Sequence, residues 1–441
     1  MKKWIPAWAL CWYHFSLAKA AALWYGNPSK RMVVIGVTGT NGKSSTTQFI
    51  GQMLESLGCR VGWTTTASFK IADQEWVNKK KMTMLGRWDT QRLLHRMAEA
   101  GCTHVIVETS SQGIEQFRHI GINYDVIVFT NLTPEHIEAH GGFEAYKRAK
   151  GKLFAHASHG AHKVIAGRRY EKIAVVNADD PHANFFASFG LDQLIAFDVA
   201  GGSAALKPIP TRSLSAQNVH LSVARTVFEV EQETVEVSVL GRFNVYNVLA
   251  AFAAVRALGF SAVDAARATQ AVRSVPGRLE TINEGQPFGL IVDYSYEPVA
   301  LAAAYEAVRL FHPNRIIHIV GSAGGGRDVA RRTELGKLSA MHDAITIVTN
   351  EDPYDEDPQH IIDQVAEGAR AEGKKDEVDL FCILDREEAI RKAISFAGPG
   401  DLVFITGKGC EPVMAVAGGK TIPWDDREVA RRLLVELSYA R

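Results

Sequence analysis

The chain has 441 residues, enough for two or three domains, and its 46% hydrophobic and 22% charged content is that of an ordinary globular protein. Lys plus Arg and Asp plus Glu balance at 49 each, so no net field recruits nucleic acid or an acidic membrane. The five cysteines are scattered without a CxxC pair, which excludes a zinc ribbon and points to reduced thiols in a cytoplasmic protein.

Residues 4–25 are rich in Trp, Tyr, Leu and Ala behind two lysines, superficially like a signal sequence. His14, Ser16 and Lys19 interrupt the apolar run, no small-residue cleavage site precedes Met32, and fewer than about 18 uninterrupted apolar residues are too few to span a membrane. Leu10, Tyr13, Leu17, Ala20 and Ala21 recur at helical spacing, which predicts an amphipathic helix packed on the next domain. A membrane-surface or partner contact is the other reading.

The apolar run 33–37 predicts a buried strand, followed by TGTNGKSS at 38–45 and a helix over 46–57. A Gly-rich turn between strand and helix aims backbone N–H groups and a helix N-terminus at an anion. Lys43 supplies a point charge and Ser44 a candidate Mg²⁺ ligand. The strict phosphate-loop pattern asks for Gly where Val37 stands, so this is a variant. A tight connection is the plain alternative; the Lys-Ser pair favours nucleotide triphosphate binding.

Further along, a helix is expected over 90–100 and strands over 104–107, 126–129 and 173–176, an alternation that implies a largely parallel sheet. Glu108 and Asn131 then fall at strand ends, where ligands of open α/β sheets sit. Glu108 beside Thr109, Ser110, Ser111 and Gly113 suits a hard Mg²⁺, although alone it reads as a solvated acid. Residues 131–150 carry His136, His140, three acids and Lys150. Zinc is disfavoured there, because Gly141 and Gly142 break the helix and the HExxH order is absent; a polar loop and exposed helix is the plain reading. Hairpins are expected over 200–240, helices over 244–258 and 262–272, and a turn at 275–278. Strands at 290–292, 316–320, 345–348, 380–383 and 402–405 then alternate with helices at 298–311, 331–341, 361–372 and 386–396, a second doubly wound sheet.

Taken together, TGTNGKSS, ETSSQG (108–113), NLTPEHIEAHGGFEAYKRAK (131–150), NADDP (177–181), GRFNVYN (241–247), PGRLE (276–280), GKGCE (407–411) and PWDDRE (423–428) resemble the Mur ligase family, most of all its MurE-type UDP-MurNAc-tripeptide synthetases. The resemblance runs from about Phe15 to the C-terminus. It implies an α/β fold: a helix over 1–30 as the remnant of a UDP-binding domain, a central P-loop ATPase-type domain with a mostly parallel sheet over 31–278, and a Rossmann-like amino-acid-binding domain over 279–441.

It also implies a cytoplasmic, monomeric ATP-dependent ligase that adds an amino acid to a UDP-MurNAc-peptide-like peptidoglycan precursor through an acyl phosphate. ATP would lie on Thr38, Gly39, Thr40, Asn41, Gly42, Lys43, Ser44 and Ser45, with Asn244, Asn247, Arg278 and Asp293. Two Mg²⁺ are implied, one on Ser44 and Glu108, the other on His136 and Lys150, the latter as a carbamate; Asn131 joins this catalytic group. Thr83, Ser110, Arg118, Asp352, Tyr354, Gly407 and Glu411 match substrate positions.

The chain departs from the family pattern in three places. About thirty residues precede the first strand, where a full enzyme carries a UDP-gripping domain of roughly a hundred. The diaminopimelate motif Asp-Asn-Pro-Arg reads Glu351-Asp352-Pro353-Tyr354, which removes the bidentate partner of a distal carboxylate and suits a cationic side chain such as lysine. Cys410 replaces the His of Gly-Lys-Gly-His-Glu, Tyr-Ala-His-Thr-Pro has become the stretch from Tyr294 to Pro298, and Met82-Thr83-Met84 replaces an Asn-Thr-Thr stretch. A Mur-like ligase with a non-UDP, lipid-linked or folate-like acceptor stays open, as does a non-catalytic nucleotide-binding scaffold.

Overall fold

The computed structural model describes residues 7–80, 82–134, 140–326, 329–437 and 439, with side chains from residue 9 onward. They form two compact units. One comprises the described residues up to Pro134, His140–Val239 and Phe243–Arg273; the other comprises Leu240–Arg242 and the described residues from Ser274.

The first unit opens with helix α1 (Ala7–Trp24), then strand β1 (Val33–Thr38), helix α2 (Lys43–Ser56) and strands β2 (Val61–Thr64), β3 (Ser68–Ile71) and β4 (Gln74–Val77). Helix α3 (Arg87–Glu99), β5 (His104–Glu108), the short α4 (Ser111–Glu115), β6 (Val126–Phe129) and α5 (Phe143–Ser158) follow. After the hairpin β7 (Lys163–Ile165) and β8 (Arg168–Tyr170) come β9 (Ile173–Asn177), α6 (Ala183–Ala187), β10 (Gln193–Asp198) and β11 (Arg212–Ser215). Nine strands make one sheet in the order β11-β10-β9-β6-β1-β5-β2-β3-β4, parallel except at β3 and β4. Apart from half-buried His104 at the start of β5, the central strands are buried along their length, as a sheet covered on both faces requires, which is why β1, β5, β6 and β9 read as aliphatic runs. β1 lies between β5 and β6, two strands that come later in the chain. Connections therefore leave its C-terminal end in opposite directions and open a crevice there.

The antiparallel extension β2-β3-β4 lies outside the sequence expectation. Its strands are four residues each, too short to show a period, and β4 is exposed along its length. Strands β12 (Gln217–Leu221), β13 (Thr226–Val230) and β14 (Glu233–Val237) form the expected antiparallel hairpins, and α7 (Arg242–Ala257) and α8 (Ala262–Thr269) follow.

Helix α1 forms as the apolar periodicity predicts, and Ala21 of the expected stripe is buried, but the buried face is shifted toward Ala18 and Ala22. Ala18, Ala21 and Ala22 are buried, whereas Leu10 and Tyr13 are exposed. Small side chains let two backbones approach closely: a Cβ on Gly121, whose φ is +86°, would stand 2.7 Å from the Ala22 methyl. Close approach, not side-chain size, decides the buried face.

In the second unit, β15 (Glu280–Thr281), β16 (Gly289–Val292), α9 (Pro298–Val308), β17 (Ile316–Val320), α10 (Ala330–His342) and β18 (Ile345–Thr349) lead into α11 (Pro358–Ala371), β19 (Leu380–Ile383), α12 (Arg386–Phe396) and β20 (Leu402–Ile405). The sheet order is β15-β16-β20-β17-β18-β19, parallel except at β15, the doubly wound pattern expected from the strand spacing. A hairpin of β21 (Val413–Val416) and β22 (Lys420–Pro423) and helix α13 (Asp426–Glu436) complete it. Among the described residues, no helix is long and apolar enough to cross a membrane.

Candidate active site

The crevice at the end of β1 is lined by residues 38–45. Gly42 caps α2 with φ 79°, so the chain turns sharply from strand into helix, and Lys43, Ser44 and Ser45 occupy the first helical turn. A Cβ at Gly39 would stand 1.9 Å from the Thr130 hydroxyl, and one at Gly42 would stand 2.1 Å from Asn247 Oδ1. The loop is thus fitted between the end of β6 and helix α7, with room for backbone alone. Asn247 also accepts from the Thr46 hydroxyl at 3.4 Å and donates to Asn244 at 2.9 Å.

Asn131 clasps the loop from the other side. Its Oδ1 accepts from the Asn41 N–H at 2.8 Å, its amide donates to the Asn41 carbonyl at 3.1 Å, and its carbonyl accepts from the Thr40 N–H at 2.8 Å. The NADDP segment braces Asn131 in turn: Asn177 donates to the Thr130 carbonyl at 2.7 Å, and the Asp180 carboxylate accepts from the Leu132 N–H at 2.6 Å. Lys43 folds its ammonium onto the Thr40 carbonyl at 2.5 Å, within the cradle an anion would enter.

Ser44 donates to the buried Glu108 carboxylate at 2.8 Å, so the first turn of α2 is bonded to the end of β5. Sequence reading missed a third member of this group. The Thr66 N–H and hydroxyl both donate to Glu108, at 2.8 and 3.1 Å, and the Thr66 hydroxyl lies 2.9 Å from that of Thr83. Thr66 sits between two short strands in a stretch of five consecutive hydroxyl or small residues (64–68), and nothing in that composition singles it out. The groups around Glu108 are hard oxygens, a carboxylate and two hydroxyls, which is the donor set Mg²⁺ takes.

Lys150 is buried on α5, against the plain reading of that helix as an exposed one. Its ammonium donates to the Gly39 carbonyl at 2.6 Å and lies 4.6 Å from the centre of the Tyr146 ring. His136 lies outside the described residues. His140 approaches the Ser111 hydroxyl at 3.1 Å, and among the described residues no group of three or more His, Cys, Asp or Glu side chains could hold a metal alone. Ser110 caps α4 by accepting from the Gly113 N–H. Arg118 binds the Met84 carbonyl and, at 2.6 Å, Gln116, so it orders the 82–84 stretch that carries Thr83.

The second unit brings together the remaining expected residues. Asp293 accepts from the N–H groups of Leu279 and Ser295, both at 2.7 Å, and so fixes the turn that carries Arg278, whose guanidinium lies 4.3 Å from the centre of the Tyr294 ring. The Tyr294 hydroxyl donates to Glu411 at 3.1 Å. Lys408, fully buried, donates to Glu411 at 2.5 Å, to Asp352 at 2.9 Å and to the Val413 carbonyl at 2.8 Å. Burial works against its charge, but the two carboxylates outweigh it and hold the ammonium above the ordinary lysine range.

Asp352 therefore already meets a lysine, the chain's own, and it also accepts from the Ala415 N–H at 2.7 Å. Its neighbour Glu351 is different. It is buried, its Oε2 has no hydrogen-bond partner among the described residues, and burial raises its carboxyl above the usual range while Arg331 opposes the rise. A Cβ on Gly407 would stand 2.6 Å from that oxygen. Tyr354 has φ 53°, and its ring lies against Gly325.

Known proteins place the chain among similar sequences. The Mur ligase middle domain matches residues 37–255, and the Mur ligase glutamate ligase domain matches residues 277–409. A UDP-N-acetylmuramyl-tripeptide synthetase from Roseiflexus sp. (strain RS-1) is 37% identical over 430 residues, 96% of this chain and 82% of the relative. A UDP-N-acetylmuramoyl-L-alanyl-D-glutamate–2,6-diaminopimelate ligase from Geobacillus kaustophilus (strain HTA426) is 36% identical over 431 residues, with the same coverage. The solved structure of a UDP-N-acetylmuramoyl-L-alanyl-D-glutamate–2,6-diaminopimelate ligase superposes with a TM-score of 0.59 at 26% identity, covering 92% of this chain and 79% of that one.

Proposed function

Because the chain belongs to the Mur ligase family, we propose that it works as a MurE-type enzyme with its phosphate chemistry centred on Lys43, Ser44 and Glu108. Its activity is ATP-dependent, Mg²⁺-requiring addition of an amino acid to a UDP-MurNAc-peptide-like precursor of peptidoglycan. The observation that carries the residue roles is the bond from Ser44 to Glu108 at the mouth of a loop shaped for phosphate.

In this reading the acceptor carboxylate attacks the γ-phosphorus of ATP, ADP leaves, and an acyl phosphate forms. The neutral amine of the amino acid then adds to the acyl carbon, and as the tetrahedral intermediate collapses phosphate departs and the nitrogen gives up one proton to solvent, keeping the other as the amide N–H. The chain's part is positioning and charge. The N–H groups of residues 39–45 and the N-terminus of α2 hold the phosphates, and Lys43 leaves the Thr40 carbonyl for the β- and γ-oxygens. Asn131 keeps the loop in register, and Asn244 and Asn247 pack its far side. Ser44 and Glu108 would hold one Mg²⁺; Lys150 as its carbamate, with His136, would hold a second. When bound, the metal neutralises charge on the transferring phosphoryl group.

Of the residues of the second unit, Arg278 and Asp293 match nucleotide positions of the family, and Asp352, Tyr354, Gly407 and Glu411 shape the amino-acid pocket. Tyr354 cannot grip a distal carboxylate as a guanidinium would, so the amino acid selected is one without it, lysine before meso-diaminopimelate. Ser110, Arg118 and Thr83 face the acceptor. The enzyme acts as a cytoplasmic monomer on small molecules. The test is phosphate release with UDP-MurNAc-dipeptide against a panel of amino acids, with Lys43→Ala as the inactive reference. Turnover with lysine above diaminopimelate is expected; no turnover with any UDP-linked acceptor would reject the acceptor assignment.

A further inference from the structure

Helix α1 is apolar nearly all round, yet only one side of it is covered. Its alanine face is buried, while Trp12, Tyr13, Leu23 and Trp24 keep 68%, 60%, 69% and 75% of their surface exposed. Trp88, on α3, continues the patch: it is 39% exposed and lies 6.0 Å from Trp24 and 5.8 Å from Tyr25, ring centre to ring centre. Phe15, also exposed, closes the other end against Phe117 at 6.4 Å. Exposed apolar surface gathered into one patch marks an interaction site, whereas scattered residues would not.

The charge carried by this segment of the sequence selects the partner. The whole chain is neutral, but residues 1–31 carry Lys2, Lys3, Lys19, Lys30 and Arg31 and no acid; the first acid is Glu55. Lys19 lays its stem along the helix with its ammonium 5.8 Å from the Phe15 ring, and Lys30 is exposed. The acids of the neighbouring α3 are already engaged, Asp89 by Lys80 and Arg92 and Glu99 by Arg31. Tryptophan and tyrosine with interspersed cations are the chemistry of a helix lying in a bilayer interface, rings at the headgroup level and ammonium groups on anionic lipid. A second copy of the chain is a poor occupant, because a two-fold contact would set these cations against one another. Among the described residues no helix is long and apolar enough to cross a membrane, so the helix would lie in the plane.

We propose that the exposed aromatic face of α1, with Trp88, docks on the surface of a lipid bilayer bearing anionic headgroups. The test is co-sedimentation of the full chain with phosphatidylcholine vesicles containing about a third phosphatidylglycerol, beside pure phosphatidylcholine vesicles. Binding to the anionic vesicles is expected, weakening as salt rises, with a blue shift of tryptophan emission. The Trp12→Ala/Trp24→Ala variant should lower the partition coefficient by about tenfold or more, while vesicle-free phosphate release stays unchanged. Lys19→Glu, at an exposed position, should weaken binding to anionic vesicles only, and it keeps the test decisive should the double variant fold poorly. Binding that neither variant alters, or no binding at all, would overturn the proposal. So would a dimer in light scattering that the same substitutions dissolve, since that would assign the face to a second copy.

Discussion

The Ser44 hydroxyl donates to the Glu108 carboxylate at 2.8 Å, joining the first turn of the phosphate-loop helix to the neighbouring strand. In the proposed mechanism both groups meet the charge on the transferring phosphoryl group. Glu108→Gln keeps the shape and one acceptor but removes the anion. It should lower kcat by about 10²–10³-fold, the usual loss for one preorganised electrostatic contact. Ser44→Ala should act in the same direction, and raising Mg²⁺ should recover part of its activity but little of that of Glu108→Gln. Steady-state phosphate release over a Mg²⁺ series measures both.

Thr66 makes two hydrogen bonds to the same carboxylate, so Thr66→Val removes one of them while keeping the backbone donor. The expected effect is smaller, about tenfold in kcat/KM, because the remaining contacts still orient Glu108. Equal losses for Thr66→Val and Glu108→Gln would show that Thr66 does more than position.

Lys150→Ala removes the ammonium now on the Gly39 carbonyl and, in the proposed mechanism, the carbamate that serves the second Mg²⁺. Activity should fall to background, and added acetate should restore a few per cent of it by supplying a carboxylate to the vacated site. Lys150→Arg keeps a cation but cannot be carbamylated, and should stay inactive. Full activity in Lys150→Arg would rule out the carbamate.

Lys408 neutralises Asp352 and Glu411 in a buried setting. Lys408→Met leaves the buried Asp352 carboxylate and the partly buried Glu411 carboxylate without their cation, a change that costs about 3–5 kcal/mol. The thermal midpoint should fall by on the order of 10 °C. Adding Asp352→Asn to Lys408→Met should return part of that loss, and differential scanning calorimetry reads both.

Acid should weaken the fold through His119. Burial, reinforced by His156 and Lys152, lowers this imidazole from an ordinary 6.5 to about 3. Between those values the unfolded chain binds a proton at this position and the folded chain does not. The contribution is therefore complete above pH about 6.5 and is lost as pH falls toward about 3, at no more than about 1.4 kcal/mol per pH unit. His119→Leu should flatten the fall in denaturation midpoint between pH 7 and pH 5.

The parts legible in the sequence were those with local chemistry. TGTNGKSS announced the tight turn from β1 into α2 because its glycines have a backbone reason to stand where they do, and the aliphatic runs announced both parallel sheets. The face of α1 was not legible. Periodicity ranks large side chains as buried, whereas Ala18 and Ala22 pack against Gly121 and Leu10 and Tyr13 are exposed. Thr66, the unpartnered Glu351 oxygen and the pairing of Asp352 with Lys408 depend on contacts between segments 42 to 56 residues apart, which no local pattern encodes.

The most direct test of acyl-phosphate ligation follows oxygen. The acceptor is labelled with ¹⁸O in its terminal carboxylate, and the phosphate released during ligation is weighed by mass spectrometry. One ¹⁸O atom should pass to phosphate for each amide formed, together with ADP and the extended acceptor. Unlabelled phosphate accompanying amide formation would contradict the account.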